Sequence, residues 1–486
     1  MGVVRNQSIK NSINFYVGMG IGAINTVLIY PNVFNDQPEH WGLIQILVAY
    51  AMVVSTFSHM GIPKVFVRFF PTIKESGQLL FLSLLVPFFG FLLVCLVYLL
   101  LKAQILSFIN ATPLLEKNFI YVFLLVFCIS FYDVLAGVSR SFLSAATPIF
   151  FNEVFLRIYS LIILLLHGFK VINFPLFLKL FVLGYLVKFL ILLLIQIKHG
   201  RLSISWTLKD LKVRELMNFG CYVIGAGASA MIVSRVDMLM IGMLIDLKHV
   251  AFYTVAFFIG NAIKVPARSI GSISTPLLAK ADKENNKEQT QVIYSKSSIN
   301  QLIIGGVFFL CIWLNIDDIF RMLPEKFSHG KYVVLFIGLA QLFNVATGVN
   351  GSIIIYSKYY RFNMVSNILL LIITIAFNYI LIPKYGINGA AIATAISVFL
   401  FYTTKMIFVY VKMGIHPFSI KTLYTIFLLL ITLFIVSQIP ITNNIYLDII
   451  FRSLLAILFF APFMLWLKLS EDINKVALDF WRKISQ

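Results

Sequence analysis

FLSLLVPFFGFLLVCLVYLLL, residues Phe81–Leu101, carries no charge anywhere along its length. A helix rises about 1.5 Å per residue and the hydrocarbon core of a bilayer is about 30 Å thick, so a spanning helix needs about 20 mostly apolar residues. A strand of a membrane barrel would alternate polar and apolar side chains, whereas this stretch is apolar on every face. It reads as a transmembrane helix. Phe427–Val436 reads the same way.

Working outward, such stretches are nearly continuous. Of 486 residues, 60% are hydrophobic and 12% charged, against roughly half and a quarter in a soluble domain. The pattern predicts an all-α integral membrane protein of about fourteen transmembrane helices, the first over Asn11–Tyr30 and the last over Tyr446–Lys468. Residues 198–217 form a basic linker with Trp206. It separates an N-terminal six-helix half, residues 1–197, from a C-terminal half, residues 218–410. Two additional helices and a cytoplasmic tail follow over residues 411–486. The halves open alike, with Asn14, Phe15 and Gly18 in one and Asn218, Phe219 and Gly220 in the other. Each then continues with a His before an apolar run, HWGLIQILVAY (His40–Tyr50) and HVAFYTVAFF (His249–Phe258). Paired halves of this kind are a transporter architecture, and the halves are expected to be pseudo-symmetric.

Lys and Arg are retained on the cytoplasmic side of short loops. With the N-terminus inside, the cytoplasmic segments carry 23 Lys and Arg and the outer segments carry 8. A missed or invented span would scramble that alternation, so both termini are expected in the cytoplasm. The first span follows a polar stub with Arg5 and Lys10 and shows no cleavage signature, so it is expected to be a retained anchor.

The net charge of +19 is therefore mostly topological, and it suits an anionic inner leaflet. No soluble basic patch interleaved with aromatics exists, which excludes nucleic-acid binding. Cys95, Cys128, Cys221 and Cys311 fall inside spans without metal-ligand spacing, so they read as small core residues, and neither a metal nor a cofactor is expected. Neither long cytoplasmic connection is large enough for a globular domain.

Ionisable groups within the spans then carry the functional reading. A charge near the bilayer centre costs about 2.5–3.5 kcal/mol on insertion scales, so it faces a partner or a watery cavity. Eight cations lie there, Arg157, Lys179, Lys188, Arg235, Lys264, Arg268, Lys405 and Arg452, against three acids, Asp133, Glu153 and Asp237. Lys179, Lys405 and Arg452 stand near span ends and are expected to snorkel. Glu153 and Arg157, at i and i+4, can neutralise one another. Lys264 and Arg268 have the same spacing but repel. Arg235 and Asp237 lie about 200° apart around a helix and cannot pair. Arg157, Lys188, Arg235, Lys264 and Arg268 are thus expected to line a cationic substrate cavity, with Asp133, Glu153 and Asp237 as coupling or partner acids. Gly18, Gly20 and Gly22, and Gly220, Gly225 and Gly227 in the seventh span, allow close helix approach or bending.

Three stretches carry a family resemblance. HMGIPKVFVRFFP (His59–Pro71), SRVDMLMIGMLIDLKHVAFYTVAF (Ser234–Phe257) and IPKYGINGAAIATAIS (Ile382–Ser397) resemble junctions of Wzx-type polysaccharide, or O-antigen, flippases of the MATE-like exporter superfamily. The resemblance implies an alternating-access bundle in the bacterial inner membrane. Its cargo would be undecaprenyl-pyrophosphate-linked oligosaccharide, moved between leaflets for surface polysaccharide biosynthesis. It further implies membrane lipids as partners, a coupling ion such as Na+ or H+, and a monomer.

Two other readings compete. A cation-coupled multidrug antiporter would use the same fold but favours an acidic cavity. An intramembrane lipid-sugar glycosyltransferase or polymerase would need outer acids, of which Asp36, Glu39, Asp317 and Asp318 are the candidates. No nucleophile, metal or phosphate-loop motif accompanies them, so an enzyme is not expected. Reporter fusions test the topology. Fusions after Asn35, Lys248 and Asn443 should report outside and fusions after Lys209, Asn286 and Gln486 inside, and an outward Gln486 would overturn the span assignment.

Overall fold

The computed structural model describes residues 2–73, 76–209, 211–439 and 444–484. Lys74, Asn443 and Gln486, which enter the expected topology, lie outside them. Every regular element among the described residues is a helix, because only a helix satisfies its own backbone groups in hydrocarbon without a closed barrel. Twelve helices are long and apolar enough to span, or thirteen if the bent pair Glu325–Ala346 and Asn350–Tyr356 counts as one. The expected fourteen is not reached by that measure.

The longest helix explains part of the difference. Arg361–Met413 contains 53 residues, about 80 Å at 1.5 Å each, far beyond the bilayer. It is interrupted at Gly386, whose φ of 60° and ψ of −137° are non-helical, a conformation open to glycine and costly for other residues. A Cβ on Gly389 would collide with the Leu381 carbonyl, so the chain doubles back there. Continuous apolar character on both sides of the turn is what the sequence shows, and the glycine is what bends it.

The chain forms two compact units, Met1–Thr254 and Val255–Gln486. In the first, Ile120–Ser141 is the hub, packed against Pro38–Ser58, Ile62–Phe69, Ser76–Phe108 and Phe174–Lys198. Its membrane-length window is 83% buried, against 11% for Ser76–Phe108, so the stretch that looks most lipid-like in the sequence is the lipid-facing helix. Close approach is made by glycine, since a Cβ on Gly42 would collide with the Leu247 carbonyl and one on Gly90 with that of Ser58. Gly61, with φ 69°, turns the chain between Pro38–Ser58 and Ile62–Phe69 and packs on the Gly220 carbonyl.

In the second unit, the two additional helices Ile420–Ser437 and Ile445–Trp466 pack on Lys287–Leu314 through Leu302, Leu310, Leu429, Ala456 and Phe460. Arg452 corrects the sequence reading. It is buried rather than snorkelling, with Nε 3.3 Å from Asp448, while Nη1 donates to the Leu314 carbonyl at 3.1 Å and Nη2 to that of Ile439 at 2.8 Å. Asp448 is a fourth acid within the spans, omitted from the sequence count, and its 1% exposure is tolerable because Arg452 neutralises it. Burial and its neighbour Asp448 push the Asp318 carboxyl above the usual carboxylate range.

A branched side chain at Gly42 would have to displace backbone, whereas a Cβ on Gly20 meets nothing within 4 Å. Gly42→Val should therefore cost about 1–3 kcal/mol or more through overpacking, lowering the melting temperature of the detergent-solubilised protein. Gly20→Ala should leave it unchanged.

Candidate substrate site

Charged side chains of the first unit cluster where helices lose regularity. Two π-helical turns occur, Ile24–Ile29 and Phe151–Phe155; such turns widen the helix and free carbonyls for other donors. The first packs on Leu156–Gly168 and the second on Gly2–Ala23. Asn25, 3% exposed, donates from Nδ2 to the Arg157 carbonyl at 2.8 Å and to Ser160 Oγ at 3.3 Å. Gly18 lies on the Glu153 backbone, and a Cβ on Gly22 would sit 2.8 Å from Arg157 Nη1. These two glycines therefore serve close packing, and Gly22 makes the room in which the guanidinium lies. Arg157 Nη2 donates to Glu153 Oε2 at 3.0 Å, the i, i+4 pair expected from the spacing.

Lys188 lies in the interior of Phe174–Lys198 and is 3% exposed. Its Nζ donates to Asn152 Oδ1 at 3.0 Å and stands 4.2 Å from the centre of the Tyr132 ring and 4.9 Å from that of Tyr185. The electron-rich ring faces attract the ammonium. The fields of Asp133 and Glu153 reach it, yet among the described residues no carboxylate lies within the 4.0 Å of an ion pair. Asp133 instead has His59 Nε2 at 3.9 Å and is 40% exposed, so it is the acid of this group most open to an exchangeable ion.

Arg235 interrupts the seventh span. Val213–Val233 ends before it and Val236–Leu244 begins after it, and its buried Nε makes no hydrogen bond. Tyr185, one of the two rings around Lys188, interacts with it electrostatically, which places the two cations in one neighbourhood. Asp237 does not pair with Arg235. It is buried and accepts a 2.6 Å bond from the Tyr253 hydroxyl, which ties the short helix to Leu247–Asn261.

In the second unit the break falls at Lys264, which ends the 3-10 turn Ala262–Lys264 between Leu247–Asn261 and Val265–Lys283. Pro266, in the first turn of the following helix, lacks an N–H and marks the interruption. Arg268 lies one turn further on and is exposed. Interrupted spans leave helix ends and free backbone groups at membrane depth, which is tolerated only within protein or beside a watery cavity. Sequence reasoning missed Asn152, Tyr132, Tyr185 and Asn25. Amides within apolar spans were the available signal, since an unsatisfied amide in hydrocarbon is itself costly.

Nearly all-helical bundles with interrupted, cation-bearing spans define a class of polytopic membrane proteins rather than one function. Within that class the chain belongs to the polysaccharide biosynthesis protein family, whose model matches residues 13–282; a MatE model matches residues 223–380. It is 21% identical over 209 residues to the "Probable low-salt glycan biosynthesis flippase Agl15" of Haloferax volcanii, covering 42% of this chain and 44% of that protein. It is 26% identical over 148 residues to the capsular polysaccharide biosynthesis protein CapF of Staphylococcus aureus, 29% and 37% of the two chains. The chain thus spans less than half the length of these curated relatives. Its fold resembles the lipid II flippase MurJ in an inward closed conformation, with TM-score 0.76 and 16% identity over 95% of this chain and 99% of that one. It also resembles an inward-facing multidrug resistance MATE family transporter, with TM-score 0.60 and 14% identity over 83% and 94%.

The bond to Asp237 generates a stability test. Tyr253→Phe leaves a buried carboxylate without this donor and should destabilise the solubilised protein by about 1–3 kcal/mol, read as a lower melting temperature with membrane insertion retained.

Proposed function

We propose that the protein is a transporter, not an enzyme, and that it flips undecaprenyl-pyrophosphate-linked oligosaccharide across the inner membrane by alternating access, for surface polysaccharide biosynthesis. The observation that carries the reading is the placing of cations where spans are interrupted, Arg235 at one break and Lys264 at another, neither within ion-pair distance of a carboxylate among the described residues, in a chain of the polysaccharide biosynthesis family. A glycan head cannot cross hydrocarbon unaided, because each unsatisfied polar group costs several kcal/mol. Its pyrophosphate must be desolvated as well, and a fixed guanidinium or ammonium offsets that cost through charge-assisted hydrogen bonds. The lipid tail stays in the bilayer while the head passes through the bundle.

Arg157, Lys188 and Arg235 serve the head group in the first unit, and Lys264 with Arg268 in the second. Asp133 and Glu153 are the acids for a coupling ion, Na+ or H+, while Asp237 acts as a structural anchor through Tyr253. The protein works as a monomer in the bacterial plasma membrane, with both termini cytoplasmic and membrane lipids as its surroundings. The MatE match supports a second reading, a cation-coupled multidrug antiporter, against which the excess of cations over acids argues.

Depletion in the native host should make lipid-linked glycan accumulate facing the cytoplasm, with loss of the matching surface polysaccharide. Arg235→Gln or Lys264→Gln should reproduce that loss at normal membrane levels of the protein, with drug susceptibility unchanged. Intact surface glycan together with marked sensitivity to cationic drugs would reverse the ranking.

A further inference from the structure

Lys405 was expected to snorkel from the end of its helix, and it does not. It is 5% exposed, its Nζ donates to Asn363 Oδ1 at 2.9 Å, and it stands 4.1 Å from the centre of the Phe401 ring. Among the described residues no carboxylate lies within ion-pair distance. This is the arrangement found at Lys188, whose Nζ donates to Asn152 at 3.0 Å over the ring of Tyr132. Each lysine lies on what the sequence reads as the sixth span of its half and each asparagine on the fifth. The internal repeat has therefore kept a lysine, an amide and an aromatic ring together in both units.

An ammonium has three N–H donors. In each group one donor meets an amide oxygen and the charge faces a ring, and among the described residues no carboxylate lies within ion-pair distance to neutralise it. A helix clamp made for stability alone would be cheaper without a buried charge, because apolar replacements of buried ionic groups are often neutral or stabilising. The amides are more open than the lysines, since Asn152 is exposed and Asn363 half-buried. Gly351 stands beside Lys405, where an added Cβ would be in ordinary van der Waals contact with Nζ at 3.9 Å. An anion can thus approach from the amide side and take the place of a neutral carbonyl on the ammonium.

We infer that Lys405 with Asn363 and Lys188 with Asn152 are paired oxyanion sites, one in each unit, in which a phosphate oxygen of the cargo displaces the asparagine carbonyl from the lysine. The inference rests on the flippase reading and adds to it a second, symmetry-related binding residue. Asn152 and Asn363 are placeholders that hold each ammonium in position until the anion arrives.

Asparagine-to-aspartate variants separate this role from a structural one. Asn363→Asp and Asn152→Asp put a carboxylate against each ammonium, which would strengthen a clamp but would occupy and neutralise an oxyanion site. The probe is farnesyl pyrophosphate, and binding is measured on the full chain in nanodiscs. The wild type should bind it, both aspartate variants should weaken binding roughly tenfold or more with an unchanged or higher melting temperature, and Lys405→Gln should do the same. Lys405→Arg should stay within about threefold of wild type, because it keeps the charge and the donors. Wild-type affinity in both aspartate variants would overturn the inference alone. A wild-type protein that binds no farnesyl pyrophosphate would overturn the functional reading and the inference with it.

Discussion

Hydrocarbon solvates neither a charge nor an unpaired backbone group, and nearly every feature of this chain answers to that constraint. It makes every element a helix. It confines loops to the bilayer surfaces, and it turns each buried ionisable side chain into a problem with few solutions. The structure shows three of them. Arg452 and Asp448 neutralise one another and cap a neighbouring helix. Arg157 and Glu153 pair along one helix. Among the described residues Lys188 and Lys405 have an amide and aromatic faces but no paired carboxylate, and this least complete solution points most directly to an anion supplied from outside.

Irregular backbone and charge occur together. The π-helical turns hold Asn25, Glu153 and the Arg157 carbonyl in one network, the broken seventh span carries Arg235, and the 3-10 turn carries Lys264. A regular helix hides its carbonyls and N–H groups, while an interrupted one exposes them, so polar cargo and interrupted helices suit one another. Glycine supplies a different service, since Gly18, Gly42 and Gly90 bring helices into backbone contact and Gly22 makes room for the Arg157 guanidinium.

Much of the architecture was legible in the sequence because hydrophobic length is a one-dimensional property. Fold class, the helical spans and the cationic excess follow from composition and spacing alone. Apolar residues flank Ser234–Arg235 and Lys264 on both sides, so each stretch reads as one continuous span and the interruptions were not visible, although the charges themselves and Pro266 were a hint. Partnership was the other gap. Distance from a span end suggested that Lys405 snorkels, but its partner Asn363 lies 42 residues away across the break at Gly386. The hub Ile120–Ser141 and the lipid-facing Ser76–Phe108 both read as membrane spans, and packing shows which of them is buried. Asp237 shows the same limit, since its role is set by the hydroxyl of Tyr253, 16 residues on.

The clamp of Arg452 on the Leu314 carbonyl bears on how the protein is made. The two residues are 138 positions apart, and at ribosomal speeds of about 5–20 residues per second the carbonyl waits roughly 7 to 28 s for its donor. During that interval the end of Lys287–Leu314 must be hydrated or held by another factor. Asp448 and Arg452, one helical turn apart, can enter the bilayer as a mutually neutralised pair. Ile420–Ser437 and Ile445–Trp466 thus act as a latch that closes on Lys287–Leu314 only after both have been made.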